Sequence, residues 1–562
     1  MHLPQSVRRH PVLFALLTCC VSTLLAYHSR LDAFFFQDDL AMVAHGVDCW
    51  RTGDIHRLFS TDQYDIPAYN RLRPVVLSMF TLLYHAFGLQ PFWFRLVNVL
   101  THTASGGLVM WLARRQAPRT TAVLAGALFL TWPALTNAVF PICTMTDCFA
   151  GFFSLAAVCV FVHLQSSGTR RAYLRAMPIV CLFYLLGQFS KETAICTPPL
   201  LVVASRFGAR RSWRDSVVAT TPVVLLTAAY LLWRRLSFGV FLTGFKTSFF
   251  AGDLRTWGLR YVEFWFDLLT HLNYELSKVA VTYRYVPVMV GATVVVSLIC
   301  LGAVALIWRR TGVSPATRLG LAILAVAIVP VSYYPLDRNF YIPAMGLSIA
   351  LASGCTWAYG CVREHPLARR SILVGFALLA LARIAIADAH CRNNGKAGDL
   401  FASLVHELDA ISQRLPAGDA DIYLLATPSK ILTPVWTDTP WIICGGEAGA
   451  FQQLQYGAQR SRFHYGLEVD LHKYPTPEPA ITFKRLNAHE LEIALSPSVD
   501  FDQAPTIDQP SAFGRVAVLE RRTYYHFDFA SRIRLTLDDA LIAPHAHVFG
   551  FDGAHVVALA AP

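Results

Sequence analysis

The 562-residue chain has little charge: Asp, Glu, Lys and Arg make up 15% of it, against 54% hydrophobic residues and a mean hydropathy of +0.42. That scarcity excludes a string of ordinary soluble domains, in which about a quarter of residues are charged. The thirteen cysteines include no CxxC pair and no Cys/His cluster at zinc spacing, which excludes a zinc finger or a dithiol redox centre. Most sit in apolar stretches and read as small buried hydrophobes, as do Cys143 and Cys148, whose pairing would need an oxidising compartment. The C-terminal part holds no glycine-rich phosphate loop, no metal-spacing motif and no helical repeat.

What the chain does have is apolar blocks of about 17 to 25 residues, the length that crosses ~30 Å of hydrocarbon at 1.5 Å per residue. They lie near 11–29, 92–113, 120–139, 147–165, 174–190, 193–207, 217–235, 285–308, 318–335, 341–361 and 371–388. The expected fold class is thus an α-helical polytopic membrane protein with about eleven transmembrane helices. The first block follows Arg8 and Arg9 as a signal peptide would. It runs on through Tyr27, Arg30 and the aromatic run Phe34, Phe35, Phe36 with no small-residue cleavage site, and reads as a span.

The net charge of +11 raises nucleic acid as a partner, but the Arg residues cluster in alternate loops. Arg8 and Arg9, Arg114 and Arg115, Arg170 and Arg171, Arg210 and Arg211, Arg309 and Arg310, and Arg369 and Arg370 all fall on one side. By the positive-inside rule that side is cytoplasmic, beside acidic lipid, and no nucleic-acid role is read. The outward segments are then 30–91, 236–284 and everything after 388. The expected division is a transmembrane domain over 1–390 and an extracytoplasmic domain over 391–562. The latter opens with an amphipathic stretch, Leu400 to Leu415, followed by alternating runs such as Asp421 to Ala426, Ala480 to Lys484 and Arg515 to Arg521, an α/β or mostly β module.

Charged groups near membrane depth are costly and usually functional, so those at the outward mouths of spans are the candidates. Asp38 and Asp39 in FFFQDDLAMV follow the first span; one can act as general base while the other orients the acceptor or holds a cation. Lys191 and Glu192 occupy a very short outward hairpin in FSKETAIC, and Asp337 and Arg338 another in YYPLDRNFYIPAMG. Arg73 in YNRLRPVVLS is a further cation suited to phosphate. Asn98 and His102 in FWFRLVNVLTH lie four apart on one helix face, where interhelical hydrogen bonding weighs more than catalysis. An embedded site for an anionic lipid is the simplest common cause: the acid pair activates an acceptor while Lys191 and Arg338 neutralise a phosphate leaving group. A transporter or flippase of lipid-linked sugars, or a non-catalytic envelope scaffold, are the rival readings; clear paired repeats and broken mid-membrane helices, expected of transporters, are not seen.

In order and spacing, QDD, RLRPVVLSMFTLLYHAFGLQPFWFRLVNVLTH, WPALTNAVFPICTMTDCFAG, FSKETAICTPPL and DRNFYIPAMG resemble the GT-C superfamily of polytopic glycosyltransferases. The nearest likeness is to protein O-mannosyltransferase-like members, including those that carry tetratricopeptide repeats. Trp132 and Asn137 stand where such relatives tend to show His and Thr-Glu. The resemblance implies a catalytic acid at Asp38 or Asp39 and a dolichyl- or undecaprenyl-phosphate sugar as donor. Lys191, Arg338 and Arg73 would meet the donor phosphate, with Glu192, Asp337, Asn98, His102 and Asp147 lining the cavity. The acceptor, protein or envelope glycan or lipid, stays open, as does the stereochemical outcome. No metal ligand set is read; two carboxylates could hold a divalent cation, but oxygen ligation by one pair is too little to assign one. The dominance of Arg over Lys suggests a bacterial inner membrane, with the N-terminus cytoplasmic and the C-terminal domain periplasmic.

Overall fold

The computed structural model describes residues 11–60, 71–167, 170–239, 314–329, 337–362 and 364–415. In the C-terminal part it describes 420–425, 428–431, 447–465, 469–471, 481–496, 499–501, 509–511, 513–524, 527–542, 546–552 and 554–559, with positions 241 and 467. The expected span 285–308 and most of the outward segment 236–284 lie outside these residues.

Among the described residues, five helices are long and apolar enough to cross a membrane, or six if one bent pair counts as a single span. The N-terminal helix α1 runs Pro11–Tyr27. Segment 30–91 then carries α2 (Asp39–Arg51) and an apolar helix α3 (Pro74–Phe87). α4 (Pro91–Arg114) leads to α5 (Arg119–Leu130), and here the expected span 120–139 is not one helix. It breaks at Trp132, continues as a 3-10 turn over Pro133–Leu135 and a short helix over Thr136–Val139, and bends by 52°. Pro133 is the cause: it brings no N–H and pushes the preceding residue out of helical geometry.

α6 (Met145–Ser167) and α7 (Arg170–Gln188) follow. The expected span 193–207 is also irregular, a 3-10 turn over Glu192–Cys196, α8 (Thr197–Val203) and a π turn over Ala204–Gly208. α9 (Trp213–Phe238) is capped by the Ser212 hydroxyl, which accepts from Asp215 N, and ends at Gly239 with φ +71. α10 (Pro315–Ile328) and α11 (Tyr341–Cys361) cross with backbones in contact, since a Cβ on Gly320 would stand 2.6 Å from Gly346 O. Small residues at such a crossing are how membrane helices pack closely. Val217, Val218, Leu225, Leu232 and Leu236 on α9 are exposed. In water such a face would be a large penalty, whereas against lipid it is the expected surface. The fold is that of a multi-pass membrane protein.

The last span does not stop near 388. α12 (Pro366–Arg414) is one helix of 49 residues, about 70 Å long at 1.5 Å per residue, and it absorbs the amphipathic stretch placed at the start of the C-terminal domain. Its first part bears exposed Leu367, Leu378 and Leu381, and its second part is buried at Leu400, Phe401, Leu404 and Leu408. The strands follow: β1 (Asp421–Leu425), β2 (Pro428–Ile431), helix α13 (Glu447–Tyr456), β3 (Arg462–Tyr465), β4 (Val469–Leu471), β5 (Ile481–Arg485) and β6 (Glu490–Leu495). β7 (Val499–Phe501), β8 (Gln509–Ser511), β9 (Gly514–Tyr524), β10 (Phe527–Leu537), β11 (Ala546–Phe551) and β12 (Val556–Ala558) complete it.

One sheet has the order β12-β11-β1-β3, with β1 parallel to both β11 and β3. A second is antiparallel in the order β5-β6-β10-β9-β8, and β2-β4-β7 form a third. The module rests on the helical part through segment 30–91. Tyr84 Oη donates to Leu454 O at 2.6 Å, Arg51 to the Gly457 carbonyl, and Phe34 packs on Phe401 and Phe451.

Candidate functional site

Asp38 and Asp39 open α2, and the fold divides them. Gln37 takes a left-handed conformation (φ +58), turning the chain so that Asp39 points back into the protein. Asp39 is fully buried; its Oδ2 accepts from Phe36 N at 3.1 Å and its Oδ1 from Cys143 N at 2.6 Å. Burial pushes its carboxyl up to about 6, against the pull of Arg95 and of those two N–H groups. Asp38, at the N-cap, makes no side-chain capping bond and stays half-buried.

The turn that receives Asp39 runs into the first turn of α6, where the second group assembles. Asp147, buried there, accepts from Lys191 Nζ, and Lys191 also donates to Asn339 Oδ1 at 2.9 Å. Lys191 is held at the N-cap of the Glu192–Cys196 turn and Asn339 in the 3-10 turn Asp337–Phe340, so two short irregular segments deliver one polar contact. Arg73, buried where α3 begins, donates from Nη1 to Thr146 Oγ1 at 3.3 Å, while its Nε has no partner among the described residues. Arg73 and Arg338 both act on Lys191, and Arg338 also acts on the Cys143 thiol alongside Asp38 and Asp39. The acid pair and the basic group are therefore electrostatic neighbours. A small depression opens here, with Asp147, Thr193, Arg338, Asn339 and Tyr341 in its wall. Lys191, Arg73 and Arg338 are the kind of donors that meet an anion such as phosphate.

Asn98 and His102 do not join this group. Asn98 Nδ2 donates to Pro141 O at 3.0 Å; His102 lies 3.4 Å from Leu130 O through Nε2 and 3.1 Å from Tyr341 Oη through Nδ1. His102 meets a carbonyl at the break in the α5 span, and Asn98 one in the turn that follows Val139, which Thr144 Oγ1 also reaches. Glu192 is half-buried in its turn, and of Asp337 only the backbone is described. Cys143 and Cys148 are free thiols, bonded to Gln37 Oε1 (3.6 Å) and Ala138 O (3.0 Å) respectively. The sequence reading missed Asn339, Thr146 and Cys143. Asn339 lies one residue beyond Arg338 in the same turn and was within reach of it. Among the described residues, no group of three or more His, Cys, Asp or Glu is placed to hold a metal ion.

No family model matches the chain. Its sequence resembles protein O-mannosyltransferases. It is 29% identical over 212 residues to protein O-mannosyl-transferase Tmtc1 of Drosophila melanogaster, covering 35% of this chain and 24% of that one. It is also 29% identical over 254 residues to Tmtc2 of the same fly, covering 43% and 26%. The chain thus spans about a quarter of the length of these curated relatives. Solved structures of similar outline include the archaeal oligosaccharyltransferase AglB from Archaeoglobus fulgidus in complex with an inhibitory peptide and a dolichol-phosphate. That comparison gives 10% identity and TM-score 0.46, covering 82% of this chain and 65% of that one. They also include ArnT from Cupriavidus metallidurans bound to undecaprenyl phosphate, at 15% identity and TM-score 0.42, covering 82% and 93%.

Proposed function

We propose that the chain is a membrane glycosyltransferase that moves a sugar from a polyprenyl-phosphate-linked donor to an extracytoplasmic acceptor, a protein or an envelope glycan or lipid. The observation that carries this reading is the gathering of Lys191, Asp147, Asn339, Arg73 and Thr146 around the start of α6, with Asp39, next to Asp38 in the chain, anchored on Cys143 N just before it. Asp38 takes the proton of the acceptor hydroxyl as its oxygen bonds to the anomeric carbon. The bond from that carbon to the phosphate oxygen breaks, and the polyprenyl phosphate leaves with its charge met by Lys191, Arg73 and Arg338. Asp39, with both oxygens on backbone N–H groups, holds the turn that places Asp38. The likeness to O-mannosyltransferases supports the same reaction class and makes mannose the first sugar to try. The N-terminus is taken as cytoplasmic, and the membrane as the bacterial inner one, with the strand-rich module periplasmic.

The test is transfer of radiolabelled mannose from polyprenyl-phosphate donors to envelope acceptors in membranes holding the wild-type chain or the Asp38→Asn, Asp39→Asn double variant at equal expression. Loss of transfer in the variant is expected. Equal transfer in both, or none in either, sinks the reading.

A further inference from the structure

We propose that Arg95 is a positioning residue for the acid pair: its guanidinium locks segment 31–39 onto the turn at 140–143, and so sets where Asp38 stands relative to Lys191 and Asp147. The inference rests on the glycosyltransferase reading for its kinetic consequence, though not for its structural one. Arg95 sits in the first turns of α4 and is fully buried. Its donors go to backbone carbonyls on both sides of the site. Nη1 reaches Leu31 O (3.3 Å) and Ala33 O, Nη2 reaches Phe34 O (2.9 Å), and Nε reaches Phe140 O (3.2 Å). The guanidinium also lies 4.9 Å from the Phe140 ring centre and 5.6 Å from that of Phe36.

One turn further along α4, Asn98 holds Pro141 O, and from the opposite segment Asp39 holds Cys143 N. The turn is thereby pinned at 140, 141 and 143, and it leads directly to Asp147 in α6. Both segments are irregular backbone, whose free carbonyls need partners at membrane depth. Only a planar fork with five donors can meet four carbonyls at once; a lysine offers three donors at a single point.

The experiment uses the full chain in lipid nanodiscs, wild type beside Arg95→Met and Arg95→Lys, with polyprenyl-phosphate mannose as donor. Three quantities are read: kcat, KM for the donor, and amide hydrogen exchange over 31–39. For Arg95→Met we expect kcat to fall about 100-fold, the scale on which a displacement near 1 Å costs rate, with donor KM within about twofold. Exchange over 31–39 should speed at least about tenfold. Arg95→Lys, which keeps the charge and loses carbonyl contacts, should show the same pattern to a smaller degree; it carries the test if the methionine variant does not fold.

A rise in donor KM with kcat preserved would make Arg95 a binding residue and overturn the proposal, as would unchanged exchange over 31–39. If the wild-type chain transfers no sugar from any donor, the glycosyltransferase reading falls by itself. The exchange result still decides whether Arg95 locks the two segments.

Discussion

Among the described residues, two groups of buried or half-buried polar side chains are spent differently. Along α4 and α12, Arg95, Asn98, His102 and Arg383 give their hydrogen bonds to backbone: Arg383 reaches Thr131 O (3.3 Å) and Leu128 O, and His102 reaches Leu130 O. Around the start of α6, Lys191, Asp147, Asn339, Arg73 and Thr146 bond mainly to one another beside a small depression. The first set satisfies carbonyls of irregular backbone, Arg383 and His102 those beside the break at Pro133, Arg95 and Asn98 those of 31–34 and 140–141. The second concentrates charge where nothing in the backbone requires it. The difference separates scaffold from site more sharply than polarity or burial alone.

The largest effect that would break this comparison lies in the ion pair. Lys191→Met leaves the Asp147 carboxylate buried without its cation, and should destabilise the chain by about 3–5 kcal/mol. The Lys191→Met, Asp147→Leu double variant should recover most of that, since neither charge is then stranded; thermal unfolding in nanodiscs measures both. No recovery would mean that the pair holds the fold through contacts beyond their mutual attraction.

Next in size is pH dependence. A carboxyl held at about 6 is ionised above that value and protonated below it. If the hold of Asp39 on Cys143 N needs the ionised form, transfer should decline as pH falls through about 6. Asp39→Asn, slower at every pH, should lose that limb. A wild-type rate flat from pH 7 to 5 would contradict the role given to Asp39.

A smaller effect belongs to the scaffold. His102→Gln should cost about 1–2 kcal/mol in stability by disturbing the bond to Leu130 O, with little change in rate per folded molecule. The smallest lies in the C-terminal module. Arg462 donates to both oxygens of Asp421 (2.8 and 2.9 Å), and His464 Nε2 lies 2.9 Å from one of them. Led by the Arg462 hydrogen bonds, these contacts depress the Asp421 carboxyl to about 2. Such a group adds stability above its unfolded value of about 4, and the gain is lost as pH falls through about 2. Arg462→Met should therefore lower the unfolding temperature at pH 7 and leave it nearly unchanged near pH 2.

The candidate residues were legible because membrane sequences make charge conspicuous. Asp38, Asp39, Lys191, Arg73 and Arg338 stood out at the ends of apolar blocks; the structure pairs Lys191 with Asp147, sets Arg73 on Thr146 and turns Asp39 onto backbone N–H groups. The three strand runs overlap β1, β5 and β9, the last lying wholly inside its strand, with Ala426 and Ala480 outside the described residues. What the sequence hid depends on tertiary contact. Nothing local says that Asn98 meets Pro141 O or that Arg95 meets Phe140 O, because those contacts join residues 43 and 45 positions apart in the chain. The break itself had a signal in Trp132-Pro133, overridden by the hydropathy of the block around it. The run of α12 through residue 390 was obscured by its change from a lipid-facing to a protein-facing surface, which reads as two segments when only apolarity is counted.

The most direct test of the account is the rate of mannose transfer from polyprenyl-phosphate mannose in membranes holding equal amounts of folded wild type, Asp38→Asn and His102→Gln. The account predicts a loss of about 10²- to 10⁴-fold for Asp38→Asn, the usual reach of a general base, with His102→Gln close to wild type. Equal rates for wild type and Asp38→Asn, or a loss in His102→Gln as large as in Asp38→Asn, would contradict the division between scaffold and site.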